Sequence, residues 1–152
     1  MNRTIALAKE GKINENASIK DQHSIVINAP IDKVWDILID LQNWKEWNSD
    51  VKKMDVEGPI KAGTKFNWTI GRLKAQSQIQ LIDKPQTLAW TEKSSWVKRI
   101  YVWSLEQDEN QTLVTLSSSL QGVFTVLVER HSKVYDELLN WLESLKKKSE
   151  EE

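Results

Sequence analysis

Asn28–Asn48 reads NAPIDKVWDILIDLQNWKEWN, and this stretch decides the architecture. A strand ends at its left edge. Pro30 then stands where a helix tolerates proline, at its first turn, and Asp32 lies near the positive end of the helix dipole. Ile31, Val34, Trp35 and Leu38 recur at three and four residues, which makes one apolar stripe. Trp44 and Trp47 follow on a short second helix or turn. Nothing in this stretch performs chemistry; its weight comes from what flanks it.

On the N-terminal side, Ser18–Ile27 is strand-like, with Ile19, His23, Ile25 and Ile27 on one parity. On the C-terminal side come five or six strands punctuated by turn residues: Val51–Glu57, Thr64–Ile70, Leu73–Ile82, Leu88–Ser94, Val97–Glu106 and Leu113–Leu120. Gly71-Arg72 reads as a two-residue hairpin loop. Gly122 ends the strand region and a helix runs from Val123 to about Lys148. Phe124, Leu127, Val128, His131, Tyr135, Leu138, Leu142 and Leu145 share one face of it. Lys146, Lys147 and Lys148 suit its negative end. Residues 1–16 hold only IALA before charges resume and read as a flexible arm, 17–148 as a single domain, and 149–152 as a frayed tail.

Composition narrows the function classes. The chain has 152 residues, enough for one domain, with 39% hydrophobic and 28% charged residues, a globular balance. A formal charge of −1 argues against nucleic acid or an anionic membrane as the main partner. The absence of cysteine removes disulfides, a thiolate nucleophile and Cys-ligated zinc, and two histidines make a multi-His metal site a poor reading. No cofactor fingerprint or P-loop falls among the five glycines. No segment approaches the roughly 20 apolar residues of a spanning helix, and no signal-peptide h-region is visible, so a cytoplasmic protein without integral membrane association is expected. The outlying count is tryptophan, at eight.

The order strand, two short helices, antiparallel meander and long closing helix resembles the polyketide cyclase/START-like superfamily (SRPBCC), with its birch-allergen-like helix-grip fold. The resemblance rests on INAPIDKVWDILIDLQNWKEW, GPIKAGTKFNW, LAWTEK, YVWSLEQDENQTLVTL and the C-terminal helix, and spans about residues 18–146. It implies an α+β domain, a bent six- to seven-stranded antiparallel sheet wrapped around the helix with a cavity between them. It also implies lipid or hormone carriers, aromatic polyketide cyclases and chaperone-associated modules as relatives. It carries over no universal catalytic motif.

Turn positions give a testable inner face. The Gly71-Arg72 loop sets Ile70 against Leu73, Trp68 against Ala75 and Phe66 against Ser77. Closing the next hairpin around Pro85-Gln86 sets Leu81 against Trp90 and Ile79 against Glu92. A turn at Ser95-Trp96 sets Glu92 against Arg99, Trp90 against Tyr101 and Leu88 against Trp103. A four-residue DENQ loop points Val114, Leu116 and Leu120 inward; a shorter pairing points Leu113 there. One face of a strand shares a parity, so the concave face is apolar with Ser77, Glu92, Arg99 and Tyr101 intruding. Leu127, His131 and Tyr135 approach from the helix.

Two readings of these groups stand side by side. Trp68, Trp90 and Trp103 serve as plain core or as a ligand platform, together with Phe66 and Ile79. Glu92 and Arg99 make a self-satisfied cross-strand pair near a hairpin end that water reaches, or Arg99 fixes the anionic end of a ligand while Tyr101, His131 and Tyr135 orient it. Burying roughly 300 Å² of apolar ligand is worth about 7 kcal/mol, of which association consumes at least about 4. Polar anchors therefore set selectivity. The function expected is carriage, sequestration or sensing of a small hydrophobic or amphipathic molecule. The alternatives are a cyclase-like enzyme using His131 as acid or base, and a protein-interaction module with a filled groove and an exposed patch.

Overall fold

The computed structural model describes the backbone of residues 2–94, 97–122 and 124–151, and the side chains of 3–93, 97–122 and 136–151. Helix α1 (Asn2–Lys9) precedes strand β1 (Ile19–Ile27), helix α2 (Ile31–Ile39) and a 3-10 helix (Leu41–Glu46). Strands β2 (Val51–Val56), β3 (Lys65–Ile70), β4 (Leu73–Asp83), β5 (Thr87–Ser94), β6 (Val97–Asp108) and β7 (Gln111–Gln121) follow, and helix α3 (Phe124–Ser149) closes the chain. All seven strands form one antiparallel sheet in the order β1-β7-β6-β5-β4-β3-β2. This is the helix-grip arrangement.

The helical stretch forms for the reasons its sequence carries. Pro30 caps α2 in an extended conformation, and its carbonyl accepts from the Lys33 and Val34 N–H groups. Val34, Trp35 and Leu38 are buried. Thr112 Oγ1 on β7 donates to the Ala29 carbonyl at 2.8 Å and Ile31 N–H donates to Gln107 Oε1 at 2.8 Å, so the α2 entrance is fastened to the far hairpin.

Hairpin register sets which side chains face inward. Ile70 pairs with Leu73, Trp68 with Ala75 and Phe66 with Ser77, and Gly71 takes the positive φ of +62° that the tight turn requires. Glu92 pairs with Arg99, Trp90 with Tyr101 and Leu88 with Trp103; the Ser95-Trp96 turn itself lies outside the described residues. One register differs from expectation. Asp83 pairs with Thr87 around Lys84-Pro85-Gln86, which sets Leu81 against Ala89, and a bulge between Ile79 and Leu81 then shifts the pairing by one. Ile79 therefore opposes Trp90, and Ser77 opposes Glu92. An extra residue on one strand reverses facing beyond it, so Leu81 turns to the convex side and Ile82 takes the inner parity. At the last hairpin Asp108 pairs with Gln111, which leaves a shorter loop than DENQ but the same parity. Val114, Leu116 and Leu120 are buried.

Both termini depart from expectation. The stretch expected to be a flexible arm contains α1, which packs Ala8 against Ala89, Ile100 and Val102, with Leu7, Ile13 and Leu81 around them. An eight-residue helix is marginal by itself; the apolar convex surface of β4–β6 holds it. It ends in a Schellman cap, with Lys12 N–H to the Leu7 carbonyl, Gly11 N–H to the Ala8 carbonyl and Gly11 at φ +72°. At the other end Ser149 is buried and helical rather than frayed. Glu150 Oε2 accepts from the Asn28 N–H at 2.7 Å, and Lys33 Nζ donates to the Glu151 carbonyl at 2.7 Å.

Candidate functional site

Between the sheet and the second half of α3, the interior is made of rings. Trp44 sits at the centre, with centroids of Trp47, Trp68, Trp90, Trp103 and Trp141 between 5.1 and 5.8 Å from its own. Most contacts are edge-to-face, the arrangement favoured by the ring quadrupole. Phe66 joins at 5.6 Å from Trp68 and 5.5 Å from Trp90. Trp141 lies parallel to Trp103 at 6.5 Å and stacks on Tyr101 at 5.1 Å. Trp44 Nε1 donates to the Leu38 carbonyl at 2.8 Å, and Trp141 Nε1 donates to Asp50 Oδ2 at 3.1 Å. Phe66, Trp68, Ile79, Trp90 and Trp103 are thus brought together as expected, and what they touch here is one another.

Polarity begins one row further along the sheet. The register aligns Leu120, Arg99, Glu92, Ser77 and Phe66 across five strands, on the parity of the rings. Ser77 Oγ accepts from Trp68 Nε1 at 3.0 Å, which joins this row to the aromatic cluster. Arg99 and Glu92 are 1% and 2% exposed. They are sealed in the interior, whereas a hairpin-end pair reached by water was expected; β5 and β6 run two pairs past them, to Ser94 and Val97.

The guanidinium serves two carboxylates and a phenol. Arg99 Nη1 lies 3.2 Å from Glu137 Oε1 and 3.7 Å from Glu92 Oε2, and it donates to Tyr101 Oη. Tyr101 Oη in turn donates to Glu137 Oε1 at 2.5 Å, a short charge-assisted bond. Arg99 Cζ is 5.2 Å from the Tyr101 ring centroid. Burial drives the Tyr101 hydroxyl well above its ordinary range; Arg99 opposes that and the two carboxylates reinforce it, so the phenol keeps its proton. Burial pulls the Arg99 pKa down, but Tyr101, Glu137 and Glu92 together more than reverse this, and the guanidinium stays charged.

Several donors of this row are unmatched among the described residues. Arg99 Nε and Nη2 are buried without a hydrogen-bond partner among the described residues. So are Ser118 Oγ, directly across the β6–β7 pair from Tyr101, and the indole N–H groups of Trp90 and Trp103. Such groups are costly unless something accepts from them. Leu127, His131 and Tyr135, expected to face this row from the helix, lie outside the described side chains.

Glu137, Trp141 and Trp44 were not among the expected site residues. Trp141 follows Glu137 by four residues and precedes Leu145 by four, the spacing of helix neighbours. A stripe drawn through Trp141 instead of stopping at Leu138, Leu142 and Leu145 would have rotated the buried face onto Glu137. Two grooves lined by described residues lie on the convex face. One of about 370 Å³ runs beside α1, and one of about 500 Å³ crosses Lys53, Lys74, Gln76 and Lys93. Val26 is the only large hydrophobic side chain exposed among the described residues. Among them no group of His, Asp and Glu would hold a metal ion, and no helix is long and apolar enough to cross a membrane.

Known structures share this layout at low identity. A hypothetical protein from Helicobacter pylori superposes with a TM-score of 0.79 at 14% identity, covering 90% of this chain and 91% of that one. The ZhuI aromatase/cyclase from a Streptomyces species gives 0.74 at 15% identity, covering 86% and 93%. Ara h 8.0201 gives 0.71 at 14% identity, covering 86% and 96%. No curated protein matches the sequence. Identities in this range speak for the fold. Residues 18–150, from the first strand through the closing helix, match the family described as polyketide cyclase / dehydrase and lipid transport, and the chain belongs to that family.

Proposed function

We propose that this protein binds a small, largely apolar molecule between the sheet and the first half of α3, with Arg99 receiving its polar end. The observation that carries this reading is a guanidinium sealed in the interior with two of its nitrogens lacking a partner among the described residues. A purely structural arginine is saturated by its neighbours, because each orphaned donor costs about 1–3 kcal/mol. Among the described residues, acceptors reach Nη1 alone. Phe66, Ser77, Ile79 and Trp90 form the floor in this reading, and Leu127, His131 and Tyr135 the helix side. The indole cluster closes the other end, so the ligand is confined to the polar half.

Binding is favoured over catalysis. The Tyr101 phenol holds its proton, and Glu92 and Glu137 are committed to Arg99, which leaves the described side of the site without a ready base. An interaction module is the weaker reading as well, since it needs an exposed apolar patch that the described residues do not provide. Native mass spectrometry of freshly purified protein tests the proposal. An adduct that is lost on denaturation is expected, and Ser118→Ala together with Arg99→Gln should reduce its occupancy. A bare mass, with tryptophan emission unmoved by a broad panel of apolar ligands, would sink it.

A further inference from the structure

We infer that the convex face of β2–β6, on the side of the sheet away from the proposed ligand site, is a docking surface for the anionic headgroups of a lipid bilayer. The register lays two rows of side chains across this face. Lys53, Thr69 and Lys74 make one row, and Asp55, Asn67, Gln76, Lys93 and Lys98 make the other. Neighbouring strands lie about 4.8 Å apart, so the band from Lys53 to Lys98 runs roughly 19 Å across five strands. All four lysines are exposed, and among the described residues none of them makes an ion pair. Asp55 is the one carboxylate within the two rows. Lys65 shares the face but is balanced by Glu57, whose N–H donates to the Lys65 carbonyl at 2.9 Å. The other carboxylates on this face of β4 and β6, Asp83, Glu106 and Asp108, stand at the far ends of those strands. The sequence between Lys93 and Lys98, SSWV, holds no charge. A formal charge of −1 for the whole chain averages over this asymmetry.

Lys93 and Lys98 face each other directly, and like charges set opposite one another on adjacent strands are destabilising. An anion lying over both relieves that repulsion. A groove of about 500 Å³ runs between Lys53, Lys74 and Lys93, with Asn67, Thr69 and Gln76 as neutral hydrogen-bonding groups along it. The residue types select the kind of anion. A stable protein interface is built on aromatic and arginine anchors and is depleted in lysine. Single-stranded nucleic acid is held by stacking on exposed aromatic rings. The band has neither anchor: the exposed large hydrophobic side chain among the described residues is Val26, away on β1, and Arg72 lies in the β3–β4 turn. Lysine is a hydrated point charge on a flexible stem. A band of such charges without an anchor matches a surface whose negative charge is spread out, as in a bilayer containing anionic lipids. The docking surface stands whether or not the interior takes a ligand.

Co-sedimentation with lipid vesicles tests this. At about 0.1 M salt the protein should sediment with vesicles rich in phosphatidylserine and stay in solution with vesicles of phosphatidylcholine alone. Raising the salt to about 1 M contracts the Debye length from about 10 Å to about 3 Å and should release it. The variant with Lys74→Gln, Lys93→Gln and Lys98→Gln should bind about fivefold less for each lysine removed, on the order of a hundredfold in all. A control with Lys45→Gln, Lys84→Gln and Lys147→Gln has the same net charge and should bind as the parent does. All six positions are exposed, and urea midpoints establish that both variants fold. No sedimentation with the phosphatidylserine vesicles at about 0.1 M salt, or an equal loss in the two variants, overturns the inference. Tighter binding to a DNA duplex or a polyglutamate peptide than to the vesicles at the same salt overturns it as well, and none of these results bears on ligand binding in the interior.

Discussion

Replacing Arg99 with methionine separates a charge-bearing cluster from ordinary core more sharply than any other single change. Its Nη1 lies 3.2 Å from one carboxylate oxygen and 3.7 Å from another. At an effective dielectric of about 20, unit charges at those separations attract by roughly 5 kcal/mol each before the cost of leaving water is subtracted. Breaking a buried pair by removing one partner costs about 3–5 kcal/mol. Glu92 is 2% exposed and Glu137 12%, so the counter-charge is lost mainly from the more deeply buried Glu92 and the upper half of that range applies. At about 2–4 °C per kcal/mol for a chain of this size, the melting temperature should fall by roughly 8–20 °C.

The pH dependence carries the sharper signature. Without Arg99, burial favours the protonated form of Glu92 in the folded state over a range where the unfolded chain, whose glutamates titrate near 4.3, has released its proton. The folded form then binds more protons, so stability falls as pH rises through that range and recovers on acidification. Urea unfolding followed by tryptophan emission at about pH 8 and about pH 5 should show the gap to the parent protein shrinking at the lower value. The variant Arg99→Met with Glu92→Met and Glu137→Met should regain most of the loss, because an apolar replacement of a whole buried ion cluster is near neutral. A loss under about 1 kcal/mol, or one that is constant across this pH span, would refute the assignment of a buried, mutually dependent charge cluster.

Three further outcomes follow from the geometry. Trp44→Ala removes the central indole and its bond to the Leu38 carbonyl, so a loss of about 3–5 kcal/mol in urea unfolding is expected. The near-ultraviolet dichroism of the ring cluster should collapse with it. Gly11→Ala forces a residue at φ +72° and brings a Cβ to 3.3 Å from Leu81 Cδ2, so about 1–2 kcal/mol should be lost. Hydrogen exchange should place that loss in α1, with the protection of β1 and β7 unchanged. Tyr101 is held well above its ordinary pKa near 10. A raised pKa in the folded state means that the contribution is complete below about pH 10 and is lost as pH climbs toward the folded value. Alkaline unfolding curves should show this slope in the parent protein, and Tyr101→Phe should abolish it.

Local periodicity was enough to place the seven strands, the two short helices and the closing helix, because hairpin turns and apolar parity are written in neighbouring residues. Gly71-Arg72 fixed one register and the pairing of Glu92 with Arg99 another, and both hold. The bulge between Ile79 and Leu81 was not legible, since an inserted strand residue leaves no mark in an alternating pattern. Nor was α1: IALAKEG carries a cap glycine, but the helix depends on Leu81, Ala89, Ile100 and Val102, far away in sequence. The first of these turns outward only because of the bulge. The same non-locality hid Glu137. Its partners on β6 lie 36 and 38 residues away, and only the rotation of α3 about its axis brings it to them.

That rotation is set by Trp141, which links the two halves of the interior. Its indole lies on Trp103 and Tyr101 and is tied to Asp50, so the helix face carrying Glu137 is held against Arg99 by packing. The packed end shows that this fold can line its centre with rings in mutual contact. The row of Arg99, Glu92 and Tyr101 is therefore no requirement of the architecture. A buried ion cluster is often no more stable than an apolar replacement of equal volume, and donors unmatched among the described residues add to its cost. Polarity kept at a cost to folding, beside a rigid aromatic base that holds it in register, is the physical ground of the recognition site proposed above.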